Sequence, residues 1–317
     1  MAVEKDKEKL EELKAEIEKL KKEKGAVILA HYYQQGDIQD VADYIGDSLA
    51  LAQIATKLKE PVIVMCGVYF MGETAKILCP DKTVLIPDAS AGCSLADSCD
   101  AVAFEEFINE HPDYTVVSYV NTSAAVKALT DVVVTSSNAI KIIDTFPEDE
   151  KIIFGPDRNL GGYINSLTGR KMLLWDGACH VHEQFSVEKL IELKKAHPAA
   201  KVLAHPECKR ALIMLADKVG STAALLDYAR TSDCREFIVA TESGILHQMQ
   251  RDCPGKTFIP LPPVDSTCGC NDCSFMKLNT MEKLRDCLRD GKPEVTVDPE
   301  IAELAVRPIN RMLDLCK

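Results

Sequence analysis

Residues 173 to 185 read Leu-Leu-Trp-Asp-Gly-Ala-Cys-His-Val-His-Glu-Gln-Phe: a short apolar run ends in a turn that delivers Cys179 and two histidines. An apolar run of that length, closed by a glycine turn, reads as a buried strand with chemistry at its tip. Two other runs end the same way. Thr83 to Ile86 leads through Pro87 to Cys93, and Thr257 to Leu261 leads through Pro262 and Pro263 to Cys268, Cys270 and Cys273.

Outward from these strands, the chain matches itself in three copies. Each copy opens with a β-rich run ending in a polar pair: His31 and Tyr33, Tyr119 and Asn121, His205 and Glu207. Residues i and i+2 of a strand share a face, so each pair is expected to point at one place. Seventeen residues after His31, Tyr119 and His205 come Ser48, Ser136 and Thr222, each opening an apolar stretch of helical period. Small hydroxyl residues suit helix N-termini, where free N–H groups and the dipole attract anions. A second β-run follows in each copy (Pro61 to Met65, Lys151 to Phe154, Glu236 to Ala240), then a helical segment, then the cysteine strand.

This alternation predicts an α/β fold: three pseudo-threefold-related, three-layer αβα domains with mostly parallel sheets around a central site. The expected division is an N-terminal helix (1–25), domains over 26–110, 111–197 and 198–297, and a C-terminal helix (298–317). Leu10, Leu13, Ile17 and Leu20 form one stripe of the first helix, which should dock on the first domain and stop at Gly25. Asn279 to Glu282 reads as a capping box, and Asp298-Pro299 as the start of a last helix kinked at Pro308. Phe154 to Tyr163 is dense in turn formers and is expected to be a loop, whose Arg158 either binds an anion or fixes the loop through Asp157. Glu242 either lines the site or caps the helix that follows it.

The formal charge of −12 argues against nucleic acid or an anionic membrane as partner. The N-terminus has no apolar signal core, and no run approaches the roughly eighteen apolar residues that span a bilayer. A cytoplasmic location is expected, where thirteen cysteines are thiols and metal ligands rather than a disulfide framework.

One cysteine from each copy could complete a Cys3His zinc site with His180 or His182. It could equally hold a [4Fe–4S] cluster by three thiolates, leaving one iron open as a Lewis acid. The strand-end pairs favour the cluster, because so many polar groups have no use at a structural metal. His205 and Glu207 are candidates for an acid and base pair; the plainer alternative has Glu207 orient His205. Two rivals remain, another iron–sulfur dehydratase and a non-catalytic iron–sulfur redox or sensor protein.

From Ala26 onward the chain also resembles the quinolinate synthase family. The resemblance rests on Ala30-His-Tyr-Tyr-Gln34, Gly46-Asp-Ser-Leu49, Phe70 to Lys76, Ser118-Tyr-Val-Asn121, Thr135-Ser-Ser-Asn138, Gly155 to Leu160, Trp175 to His180, Ala204-His-Pro-Glu-Cys208, Gly220-Ser-Thr222, Ala240 to Gly244 and Cys273-Ser-Phe-Met276. It implies condensation of iminoaspartate with dihydroxyacetone phosphate to quinolinate, phosphate and water in de novo NAD biosynthesis. It also implies a [4Fe–4S] cluster with Cys93, Cys179 and Cys273 as ligands, though Cys268 and Cys270 compete for the third place and Cys270 and Cys273 could form a redox pair. His31, Ser48, Tyr119, Asn121, Ser136, His205, Glu207 and Thr222 match the family's substrate contacts, with Tyr33 and His180 as further active-site positions. Tyr33, His205 and Glu207 are the expected proton shuttles, with His31 positioning intermediates. Transient contact with an enzyme supplying iminoaspartate is a further expectation.

Overall fold

The computed structural model describes residues 2–265 and 271–316; Cys268 and Cys270 lie outside the described residues. The chain is α/β, with three four-stranded sheets whose strands all run parallel. The first sheet contains β1 (Ala26–His31), β2 (Tyr44–Gly46), β3 (Val62–Cys66) and β4 (Thr83–Leu85) in the order β2-β1-β3-β4. The second contains β5 (Thr115–Tyr119), β6 (Val132–Val134), β7 (Ile152–Gly155) and β8 (Leu173–Leu174), ordered β6-β5-β7-β8. The third contains β9 (Lys201–Ala204), β10 (Lys218–Val219), β11 (Glu236–Ala240) and β12 (Thr257–Pro260), ordered β10-β9-β11-β12. All three copies therefore share one strand order. The opening strand is central in each, and β1 is buried along its whole length, as a parallel sheet covered on both faces requires.

The repeat extends to single atoms. Fifteen residues after Ile28, Val116 and Val202 stand Asp43, Asp131 and Asp217, and in every copy the aspartate Oδ2 accepts the earlier residue's N–H at 2.8 Å. The aspartate's own N–H donates back to the same residue's carbonyl, at 3.0, 2.9 and 2.9 Å. Each carboxylate thus satisfies a strand N–H that the sheet leaves open and fixes where the next strand begins.

The described residues fall into two compact units. The first comprises residues 1–93 and 274–298 and contains the first sheet. Its N-terminal helix, Ala2–Lys24, buries Leu13 and Ile17 and packs Leu10 and Leu20 against the same core, so the expected apolar stripe is what docks. Gly25 stops the helix with φ +58°, a left-handed conformation that glycine adopts without a Cβ penalty. Residues 293–295 pair with the edge of β4: Val295 N donates to Val84 O at 2.8 Å, and Ile86 N to Pro293 O at 3.2 Å. The helix Met281–Asp290 starts one residue later than the capping-box reading places it. Its cap is Thr280, whose hydroxyl accepts Lys283 N.

The second unit, residues 94–273 and 299–317, holds the other two sheets, each with its own apolar core. The last helix, Pro299–Leu315, continues through a buried Pro308. The expected loop over Phe154 to Tyr163 is mostly helix. Asp157 caps Arg158–Thr168 by accepting Leu160 N at 2.8 Å. Gly161 is there for close packing rather than for a turn, since a Cβ would lie 2.6 Å from Leu174 Cδ2 and 2.8 Å from Phe154 Cδ1. Among the described residues no helix is long and apolar enough to cross a membrane.

Candidate active site

The polar pairs at the strand ends are brought together by turns, not by strand alternation. β1 ends at His31 and β9 ends just before His205, so Tyr33 and Glu207 lie beyond the pleat. In both copies the histidine Nδ1 accepts the backbone N–H two residues on: from Tyr33 at 3.1 Å and from Glu207 at 3.4 Å. That bond folds the chain back and makes Nδ1 the acceptor, which sets the tautomer of the neutral ring.

In the first unit, buried His31 sits edge-on to the Tyr33 ring at 4.5 Å between centroids. Ser48 is the first residue of the helix Ser48–Ala55, capped by Asp47, and half-buried Cys93 follows the β4 loop. In the second unit, Thr222 likewise begins Thr222–Thr231, capped by Ser221. The two helix starts share a steric requirement: a Cβ on Gly46 would meet Ala50 at 2.9 Å, and one on Gly220 would meet Ala224 at 3.0 Å. The middle copy has Val134 at that place and its helix begins later, at Ala139, leaving Ser136 in the preceding turn.

The second unit gathers a buried network. Tyr119, His182, His205 and Glu207 are 5, 2, 3 and 3% exposed. Tyr119 Oη donates to Glu207 Oε1 at 2.6 Å. His182 Nδ1 lies 3.0 Å from Glu207 Oε2 and 3.2 Å from Cys179 Sγ, while its Nε2 lies 3.0 Å from the Thr241 hydroxyl. With Thr241 donating to Nε2, the neutral ring carries its proton on Nδ1, facing the carboxylate. His205 Nε2 meets the Ser136 hydroxyl at 3.2 Å, and its ring lies 4.8 Å from that of His182. Asn121 is half-buried in the turn after Tyr119. His180, half-buried, places Nδ1 on the Ser94 hydroxyl. Arg158 binds Glu183 at 2.9 Å and Asp176 at 3.3 Å, so of its two expected roles the structure shows a loop tie, through partners other than Asp157.

Burial and neighbouring charge set the protonation states. Burial pushes His205 down to about 4, with His182 adding to the fall and Glu207 opposing it, so the ring is neutral at neutral pH. Burial alone would raise Glu207, but His182, His205 and the hydrogen bonds from His182 and Tyr119 outweigh it and hold the carboxylate below its usual range. Asp157 goes the other way, raised by burial first and by the charge of Glu207 second. The two buried carboxyls are thus shifted in opposite directions.

Sequence reading passed over His182 as a member of this network. It lies three residues after Cys179, one helical turn on, and the helix His180–Glu183 brings both to one side. Four residues are too few to show that period in the sequence.

A family model described as "Quinolinate synthetase A protein" matches residues 15–314. The chain belongs to the quinolinate synthase family. It is 57% identical over 304 residues to the quinolinate synthase of Thermosynechococcus vestitus, covering 96% of this chain and 95% of that protein. To the quinolinate synthase of Chloroherpeton thalassium it is 56% identical over 302 residues, covering 95% and 94%. With that of Trichormus variabilis it shares 56% over 304 residues, covering 96% and 94%.

In this member of the quinolinate synthase family the thiols sort themselves by environment. Cys66, Cys79, Cys99, Cys208, Cys253 and Cys287 are buried, and burial pushes each thiol up, Cys99 and Cys287 to about 12. Such thiols stay protonated and make poor ligands. Cys234 donates to Glu236 O at 3.1 Å, and Cys316 accepts from Asn138 Nδ2 at 3.1 Å. Among the described residues Cys93, Cys179 and Cys273 remain, each half-buried and each in the loop after the last strand of its sheet. Half-exposed thiols of this kind are chemically suited to bind metal as thiolates. Ligand atoms of Cys179, His182 and Glu207 also lie within 4.8 Å of one another, a closeness that their hydrogen bonds explain.

Proposed function

We propose that this protein is a quinolinate synthase that condenses iminoaspartate with dihydroxyacetone phosphate to quinolinate, phosphate and water in NAD biosynthesis. Its cofactor would be a [4Fe–4S] cluster held by Cys93, Cys179 and Cys273. When bound, the cluster supplies an open iron that acts as a Lewis acid.

The observation that carries the reading is the ionised Glu207, buried and held by Tyr119 and by His182, which also meets Cys179. A carboxylate so placed can take a proton from substrate and return it, which dehydration requires. Tyr119 and His182 orient it, and neutral His205 offers Nε2 to a polar group where it now meets Ser136. Ser48 and Thr222, at helix starts, and Ser136, in its turn, are suited to carboxylate and phosphate groups, offsetting the chain's net negative charge. His31 and Tyr33 contribute from the matching turn of the first copy.

A shared main-chain tie supports Cys273 as the third ligand. The carbonyl two residues before the cysteine accepts an N–H at or next to a helix start in every copy: Ala91 O from Tyr69, Gly177 O from Arg158 and Asn271 O from Ser243, at 2.6, 2.9 and 3.2 Å. Cys273 thus occupies the place that Cys93 and Cys179 occupy.

The test is an anaerobic assay with dihydroxyacetone phosphate and freshly generated iminoaspartate, following quinolinate, with iron and sulfide counted on the same sample. Product formed only by protein carrying about four irons is the expected result. A loaded cluster without product would assign the site to another iron–sulfur dehydratase or to a sensor, and stoichiometric zinc without iron would overturn the cofactor.

A further inference from the structure

Each cysteine loop is tied to the helix that follows the third strand of its copy in chain order, and in two copies the tie includes a carboxylate. Asp157 uses Oδ1 to accept Leu160 N at 2.8 Å, capping its helix, and Oδ2 to accept the backbone N–H of Cys179 at 3.3 Å. Glu242 uses Oε2 to accept Gly244 N at 2.7 Å and Oε1 to accept the backbone N–H of Cys273 at 3.0 Å. Both side chains are essentially buried. The carboxylates leave equivalent strands, β7 and β11, and reach equivalent cysteines.

Other contacts close the same loops. Thr241 holds His182, Ser243 donates through its hydroxyl to Asp272, and Asn271 Nδ2 donates to Val181 O at 3.2 Å. At Gly177 a Cβ would lie 2.5 Å from Pro156 O, so the Cys179 loop approaches the Asp157 turn as closely as a backbone can. The first copy builds its tie differently. Its corresponding helix, Tyr69–Leu78, is capped by Val68 without a side-chain cap bond, and Tyr69 N donates to Ala91 O in the Cys93 loop.

We propose that Asp157 and Glu242 are positioning residues, each transferring the rigidity of a sheet-packed helix start to the main chain of a cluster-binding cysteine. The inference rests on the cluster reading above. A carboxylate has two acceptor oxygens and no donor when ionised, so one group can satisfy two N–H groups and set the distance between them. An amide in its place turns a donor toward one of those N–H groups. Serine at 157 still caps the helix but withdraws the second acceptor. Loss of such outer contacts weakens metal binding by about ten- to a hundredfold in other sites.

The experiment is anaerobic reconstitution of the full chain and of Asp157→Ser, Glu242→Gln and Asp100→Ala, followed by a timed challenge with an iron chelator and by electron paramagnetic resonance of the reduced cluster. Asp100 caps the helix Ala101–Asn109 by accepting Val102 N and Ala103 N, bonds that involve neither the Cys179 nor the Cys273 main chain, so its variant serves as the lost-cap control. Asp157→Ser and Glu242→Gln should each release iron about ten- to a hundredfold faster than wild type and alter the resonance line shape. Asp100→Ala should lower the melting temperature with release and line shape unchanged. Release at the wild-type rate from both loaded variants overturns the inference and leaves the cluster reading standing, as does acceleration by Asp100→Ala to the same degree. Wild-type protein that takes up no iron overturns the cluster reading and this inference with it.

Discussion

The second and third copies of the repeat share a strand order, an aspartate bonded to the strand fifteen residues before it and a carboxylate tied to a cysteine loop, yet they do opposite things at their strand ends. The second ends in Tyr119, a donor; the third ends in the turn that carries His205 and Glu207, an acceptor with a neutral base beside it. The Tyr119 to Glu207 bond joins them at 2.6 Å. A repeated scaffold can therefore place two side chains of complementary chemistry against one another while the backbone stays the same. Asymmetry lives in a few residues, and the fold supplies their registration.

The largest test removes the charge from the third copy. Glu207→Gln keeps the shape and the acceptor for Tyr119 but cannot take a proton, so turnover should fall by about 10²- to 10⁴-fold with iron content equal to wild type. Activity within a few-fold of wild type would remove Glu207 from proton transfer. Tyr119→Phe probes the second copy and should cost less, about ten- to a hundredfold, the worth of a hydrogen bond to a charged group. If it instead matched Glu207→Gln, the tyrosine itself would be moving the proton and the division between copies would be reversed.

Protonation distinguishes the copies in stability as well. His205 is held near 4, below the usual histidine value, so as pH falls the unfolded chain binds that proton first. Stability is therefore fully present above about 6.5 and is lost between about 6.5 and 4, at up to about 1.4 kcal/mol per pH unit. His180, also lowered by burial, acts in the same sense, and Glu207 does so below the ordinary carboxylate range. Asp157, in the second copy, is raised and has the opposite sign, its contribution fading as pH rises. Urea midpoints of iron-free protein should fall from pH 7 to pH 5, and His205→Gln should flatten the dependence. Equal midpoints at both pH values in wild type would show that His205 does not titrate as its burial requires.

Much of this was legible in the sequence because repetition amplifies weak signals. His31, Tyr119 and His205 each open a copy, and matched spacing found Ser48, Ser136 and Thr222 at or near helix starts. Strand-end geometry was misread, since alternation along β1 and β9 does not extend to Tyr33 or Glu207; a histidine-closed turn replaces it. The aspartates at 43, 131 and 217 were equally spaced but carry no signal alone, because their partner is a backbone N–H. The glycines at 161 and 162 were read as turn formers, and only the distance to Leu174 and Phe154 shows what one of them does.

Those two glycines give the smallest effects and set apart the two copies' helices. The helix Arg158–Thr168 buries Leu160 and Ile164 where the matching helix Ile245–Asp252 buries Ile245 and Met249, but it places buried Gly161 where the other carries half-buried Leu246. Gly161→Ala would press a methyl group on Phe154, which is fully buried, and on Leu174, which is partly exposed and can turn aside. The expected loss is about 1 to 3 kcal/mol, as for other overpacked cores. Gly162 is one residue on, and a Cβ there meets nothing within 4 Å. Gly162→Ala should gain about 0.5 to 1 kcal/mol from helix propensity and the restricted unfolded chain. Denaturant midpoints of the two variants should thus move in opposite directions from wild type. A shift of the same sign in both would mean that helix propensity, rather than close approach to the sheet, governs this element, and the contrast with the third copy's helix would fall with it.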